Sequence, residues 1–131
     1  MRLILLVDDN EMNLDMLSRR LERRGFNVVS ATDGRQALTK AYETRPDLIL
    51  LDMSLPEISG IEVAKVLRKN VETSETPIIA LTAYATDVDR RRALEAGCDD
   101  YDTKPVDLAR LLVKIEMLSS KAIARPHSDN T

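Results

Sequence analysis

Four consecutive aliphatic residues, Leu48-Ile49-Leu50-Leu51, run straight into Asp52 and then into a loop punctuated by Pro56 and Gly60. A run this short and apolar on both faces reads as a buried strand of a parallel sheet, over Asp47–Leu51, rather than as an amphipathic helix. Asp52 then sits where the strand gives way to the loop, on the edge where open α/β sheets gather their functional residues.

The same pattern recurs along the 131 residues. Leu3–Val7 reads as a first strand emptying into Asp8-Asp9-Asn10. Asn10 is an N-cap, and Leu14, Leu17 and Leu21 mark one face of a helix that stops at Gly25. Val28–Ala31 is a more mixed strand, expected near an edge. Asp33 caps a second helix carrying Ala37, Leu38 and Ala41, which must end before Arg45-Pro46 because the residue before proline avoids helical geometry. Ser59 or Gly60 opens a third helix through Ile61, Ala64, Val66 and Leu67. The polar stretch Lys69–Thr76 then leads to Pro77 and a strand, Ile78–Leu81, that delivers Thr82. Thr86 or Asp87 caps a fourth helix ending at Gly97. Asp100–Thr103 is the least apolar segment and earns a strand assignment from its neighbours. It leads to Lys104-Pro105 and a last helix marked by Leu108, Leu111, Leu112 and Ile115. Strand and helix alternate five times with short links, which predicts a doubly wound α/β fold: a parallel sheet covered by helices on both faces. One domain is expected over residues 1–120, with a flexible polar tail over 121–131.

Composition narrows the partners. With 19 basic and 22 acidic residues the net charge is −3, giving no general attraction to nucleic acid or anionic membrane. Arg90-Arg91-Arg92 splays over different faces of its helix and reads as a solvated surface. The one cysteine, Cys98, excludes an intramolecular disulfide and suits a reducing cytoplasm. The apolar start is too short for a membrane span, and two acids end it where a signal peptide needs small residues. A cytoplasmic protein is expected.

The strand ends carry a coherent set: Asp8 and Asp9, then Asp52, Thr82 and Lys104. Three carboxylates gathered at one edge repel one another, and one lysine cannot balance them. Oxygen-only ligands without histidine or cysteine suit a hard divalent ion, Mg²⁺. Such a site takes a phosphoryl group. Mg²⁺ and Lys104 would bind two of its oxygens and the Thr82 hydroxyl a third, leaving Asp52 as the attacking carboxylate.

Asp8-Asp9, Leu51-Asp52-Met53 with Leu55-Pro56 and Gly60, Leu81-Thr82-Ala83, and Lys104-Pro105 together resemble the receiver domain of two-component response regulators, over roughly residues 2–118. The resemblance implies a flavodoxin-like (βα)5 fold with strand order 2-1-3-4-5. It implies that Asp52 accepts a phosphoryl group from the phosphohistidine of a sensor histidine kinase or phosphotransfer protein. Asp9, Asp52 and the Ser54 backbone carbonyl would bind Mg²⁺ directly, and Asp8 through water. Lys104 would pair with Asp52 or the phosphoryl group, its bond to Pro105 being cis. Thr82 and Tyr101 would form the switch, altering a face made by the fourth helix, fifth strand and fifth helix where a downstream protein docks. Ser54 and Tyr84 occupy positions that influence water access to the phosphoryl group. Leu55–Gly60 further resembles the stand-alone receivers of bacterial cell-cycle control. On this reading the chain is a monomeric, single-domain phosphoacceptor in signal transduction and not an enzyme acting on a separate metabolite.

Three rivals stand beside it. Aspartyl phosphatases of the haloacid dehalogenase type place a second Asp two residues after the first, where this chain has Ser54. A phosphorylation-independent module of the same fold usually lacks a pocket residue, and none is lacking here. The third rival is a receiver segment of a hybrid kinase.

Overall fold

The computed structural model describes residues 2–84 and 86–124, with side chains described through Ser119. Five strands alternate with five helices: β1 (Leu3–Val7), α1 (Glu11–Arg23), β2 (Asn27–Ala31), α2 (Gly34–Thr44), β3 (Leu48–Asp52), α3 (Gly60–Lys69), β4 (Ile78–Thr82), α4 (Asp87–Glu95), β5 (Asp100–Thr103) and α5 (Leu108–Ala124). All strand pairs are parallel and the order is β2-β1-β3-β4-β5. The chain winds outward from β1 to β2, then crosses back to β3 and winds the other way. The loops leaving β1 and β3 therefore diverge, and a crevice opens between them at the carboxyl ends of the strands.

Alternate strand residues feed two apolar layers. Leu5, Val7, Ile49, Leu51, Ile78 and Ala80 pack with side chains of α2, α3 and α4. Ile4, Leu6, Leu48, Leu50, Ile79 and Leu81 pack against Leu14, Leu17 and Leu21 of α1 and Leu111, Ile115 and Leu118 of α5. β3 and β4 are buried at every position, so a continuous apolar run is what their places require. Each edge strand has a carbonyl covered by a lysine. Lys40 of α2 donates to the Ser30 carbonyl on β2, and Lys114 of α5 donates to the Tyr101 carbonyl on β5. That removes an acceptor from strands otherwise open to pairing.

The caps form as the sequence predicts. The side chains of Asn10, Asp33, Ser59 and Thr86 accept from the backbone N–H groups of Asn13, Gln36, Glu62 and Asp89. Several local expectations shift. Asp47 precedes β3, and its carboxylate accepts the Leu3 N–H at 2.8 Å. Asp52 is the last residue of β3, paired with Leu81, and Thr82 closes β4 opposite Thr103. α2 does end at Thr44, before Arg45-Pro46 as expected, and Arg45 caps it in the left-handed region (φ 49°, ψ 62°) with its N–H on the Ala41 carbonyl. Val66 is exposed; the inward stripe of α3 is Gly60, Val63, Ala64 and Leu67, the i, i+3, i+4, i+7 set. α5 continues through Ala124, and residues 125–131 of the expected tail lie outside the described residues.

Candidate functional site

Adjacent parallel strands β1 and β3 end together, which brings Asp8 and Asp52 side by side although 44 positions separate them in sequence. Both are buried, at 4% and 2% exposure, while Asp9 faces solvent. Each buried carboxylate is fixed by the loop that leaves its strand. Asp8 Oδ1 accepts the Asn10 N–H, and Asp52 Oδ1 accepts the Ser54 N–H, both at 2.9 Å. Their Oδ2 atoms are left facing Lys104, whose Nζ donates to both at 3.0 Å. Lys104 reaches them from the loop after β5, where its N–H is held by the Thr82 carbonyl at 2.8 Å and its bond to Pro105 is cis. Burial pushes the Lys104 ammonium toward losing its proton. The hydrogen bonds to Asp52 and Asp8, with the charges of both carboxylates, outweigh that and hold its pKa above the ordinary lysine value.

The lysine answers two of three carboxylates. One oxygen each of Asp8, Asp9 and Asp52 lies within 4.8 Å of the others, two of the residues buried and one exposed. An all-oxygen, open-sided cluster with a surplus of negative charge fits a hard divalent cation that keeps part of its water shell. The residues present therefore fit Mg²⁺.

Gly60 sets the far wall. A Cβ there would stand 2.4 Å from the Asp52 carbonyl oxygen and 2.7 Å from the Met53 Cα, so the first turn of α3 seats directly on the end of β3. The loop between them folds back through Glu57 at φ 63°. The Pro56–Gly60 stretch is thus drawn in tightly against the end of β3.

Thr82 is buried beside this pocket, its hydroxyl donating to the Tyr84 carbonyl at 3.0 Å and accepting the Tyr84 N–H at 3.1 Å. A cleft of ≈160 Å³ runs from here across the α4 side of the sheet, with Ser54, Thr82, Tyr84, Arg90 and Tyr101 among its walls. Tyr84 is 68% exposed at its mouth. A second cleft of ≈250 Å³ opens on the α1 side, where Asp8 and Lys104 meet Met16, Arg20 and Val106. The structure thus brings Asp8, Asp9, Asp52 and Lys104 together, with Thr82, Ser54 and Tyr84 adjacent and Tyr101 farther along the cleft.

Two groups outside the acidic cluster escaped sequence reasoning. Asp102 of β5 is buried and held by Arg110, whose Nε donates to Oδ1 at 2.9 Å and whose pKa is raised chiefly by that bond. At the opposite end of the sheet, Arg68 ties two loops together, donating to the carbonyls of Thr73 and Thr76 after α3 and to the Gly97 carbonyl and Asp99 carboxylate after α4. A lone arginine at a helix end and an aspartate in a polar strand carry no local signal of either role.

Comparison with known proteins agrees with this geometry. The family model of the response regulator receiver domain matches residues 4–116. The polar-differentiation response regulator DivK of Brucella anthropi is 39% identical over 113 residues, 86% of this chain and 92% of the relative; DivK of Brucella ovis is 38% identical over the same span. Among solved structures, chemotaxis protein CheY4 of Vibrio cholerae superposes with a TM-score of 0.86 at 31% identity, covering 90% of this chain and 98% of that one. The receiver domain of the sensor histidine kinase PA1611 of Pseudomonas aeruginosa superposes with a TM-score of 0.85 at 36% identity, covering 91% and 98%. That structure holds a magnesium ion coordinated in its active-site cleft.

Proposed function

The chain belongs to the response regulator receiver domain family, and on that premise we propose that Asp52 is its phosphoacceptor, loaded from the phosphohistidine of a sensor histidine kinase or phosphotransfer protein. The observation that carries this is the Lys104 ammonium bridging the buried Asp8 and Asp52 beside a three-carboxylate cluster at the sheet's switch point. An Asp52 oxygen attacks phosphorus, the P–N bond breaks, and the imidazole departs with the electron pair, leaving an acyl phosphate. Ser54 N–H and Lys104 orient the attacking carboxylate and the burial of Asp52 strips it of water. Asp8, Asp9, Asp52 and the Ser54 carbonyl are the groups to hold Mg²⁺, which when bound neutralises charge on the transferring phosphoryl oxygens.

Thr82 is the group to follow the new dianion. Its hydroxyl rests on the Tyr84 backbone and would leave that partner to meet a phosphoryl oxygen. With Tyr101 it carries the change to the face of α4, β5 and α5, where we place a downstream protein partner. The protein acts as a cytoplasmic, monomeric switch. No helix among the described residues is long and apolar enough to cross a membrane.

Exposure to acetyl phosphate with Mg²⁺, read by intact mass, tests the acceptor. One phosphoryl group is gained by the wild type and none by Asp52→Ala or without the metal; uptake by Asp52→Ala refutes the assignment. Tyr84, at the mouth of the cleft, screens the acyl phosphate from water. Tyr84→Ala accordingly loses its phosphoryl group faster than wild type, and an unchanged rate of dephosphorylation removes that role.

A further inference from the structure

Tyr101 stands within reach of two cations from different helices. The Arg90 guanidinium carbon of α4 lies 5.3 Å from the ring centroid, and Lys114 Nζ of α5 lies 5.1 Å from it. Both distances fall inside the range of about 6 Å over which an aromatic quadrupole attracts a cation. Lys114 grips the residue a second way, since its ammonium also donates to the Tyr101 carbonyl and lies 3.7 Å from Asp100 Oδ1. The ring itself packs on the apolar layer that holds Ala93 and Ala96, and it lines the same cleft as Thr82 and Arg90. In this arrangement the Thr82 hydroxyl is engaged with the Tyr84 backbone.

We propose that Arg90 and Lys114 are positioning residues for Tyr101, two cations that hold its ring in this arrangement and so set the resting balance of the switch. The proposal rests on the phosphoacceptor reading given above and assigns the setting of that switch to two side chains outside the acidic pocket. Its logic is a difference between states. An attraction present in the resting arrangement and lost when the ring moves raises the free energy of leaving it, and therefore weakens any ligand that favours the other state. Arg90 and Lys114 also belong to the helices that flank β5. A partner whose acidic groups drew either cation away would free the ring, so partner binding and phosphoryl affinity would strengthen each other.

The test is titration of the full chain with beryllofluoride in saturating Mg²⁺, a stable mimic of the acyl phosphate, for wild type, Arg90→Met and Lys114→Met. Each substitution keeps an unbranched apolar stem and removes the charge, and each tightens apparent affinity by about two- to fivefold. Lys114→Arg and Arg90→Lys keep the cation and the wild-type affinity. In a Tyr101→Leu background, Arg90→Met no longer changes affinity, because the ring it acts through is gone. Unchanged or weaker binding by both methionine variants overturns the clamp. So does an equal gain with and without the ring, which assigns the effect to long-range charge. A wild type that takes up no beryllofluoride overturns instead the phosphoacceptor reading beneath it.

Discussion

Replacing Lys104 by methionine removes the cation from between two buried carboxylates and leaves the apolar stem in place. Its Nζ stands 3.0 Å from both Asp8 and Asp52, whose side chains are only 6% and 3% exposed. Breaking a buried pair by deleting one partner costs about 3–5 kcal/mol, because the surviving charge is left uncompensated. Here the Lys104 side chain is itself 24% exposed, so water can follow into the space and cover part of the loss. Asp8 Oδ1 and Asp52 Oδ1 also keep their backbone donors. The expected loss therefore falls just below that range, at about 2–3 kcal/mol. Urea unfolding followed by far-UV circular dichroism in EDTA measures it. Repeating the titration in Mg²⁺ supplies the second half of the test. A ligand bound only by the folded state at a hundred times its dissociation constant adds about 2.7 kcal/mol. The variant binds the divalent ion without a competing ammonium, so the gap to wild type narrows in Mg²⁺. A Lys104→Met protein as stable as wild type in EDTA would refute the reasoning, since the carboxylate pair would then tolerate burial unaided.

Two further outcomes follow from the packing. Gly60→Ala meets backbone at 2.4 Å and 2.7 Å, atoms that no flexible side chain can yield, and its urea midpoint should fall by the equivalent of about 1–3 kcal/mol; an unchanged midpoint would mean that α3 is not seated on β3 as described. Burial pushes the Cys98 thiol up to about 12, with Arg68 pulling it down and Asp99 adding to the rise. Above pH 9 the unfolded chain therefore ionises this thiol first, and stability falls by up to about 1.4 kcal/mol per pH unit between 9 and 12. A smaller fall in Cys98→Ala checks the sign, and identical pH profiles for the two proteins would contradict it.

Much of the fold was legible because its signals are local. Asn10, Asp33, Ser59 and Thr86 announce helix starts through a side-chain oxygen that only needs to reach a backbone N–H about three residues on. The apolar runs of β3 and β4 announce burial on both faces. Where two local signals compete, the sequence misleads. Val63 and Val66 are equally apolar, and only the helix's rotation against the sheet tells which points inward. The end of α2 before Arg45-Pro46 was legible, and only the left-handed form in which Arg45 closes the helix on the Ala41 carbonyl was not.

β5 marks the boundary between the two kinds of knowledge. Its sequence, Asp-Tyr-Asp-Thr, has almost none of the apolar character of a strand. It is held by its pairing with β4 and by other elements that answer its groups: Asp102 is met by Arg110, Asp100 and the Tyr101 carbonyl by Lys114, and the ring by Arg90. The site divides in the same way. An aspartate at the end of a buried strand, an acidic pair after another and a lysine before proline are written in the chain, since each depends on its immediate neighbours. That Lys104 bridges Asp8, 96 residues away, and Asp52, 52 residues away, was decided by strand order alone. The cations on Tyr101 belong to that second class. Their approach depends on how α4 and α5 flank an edge strand, and no spacing within either helix encodes it.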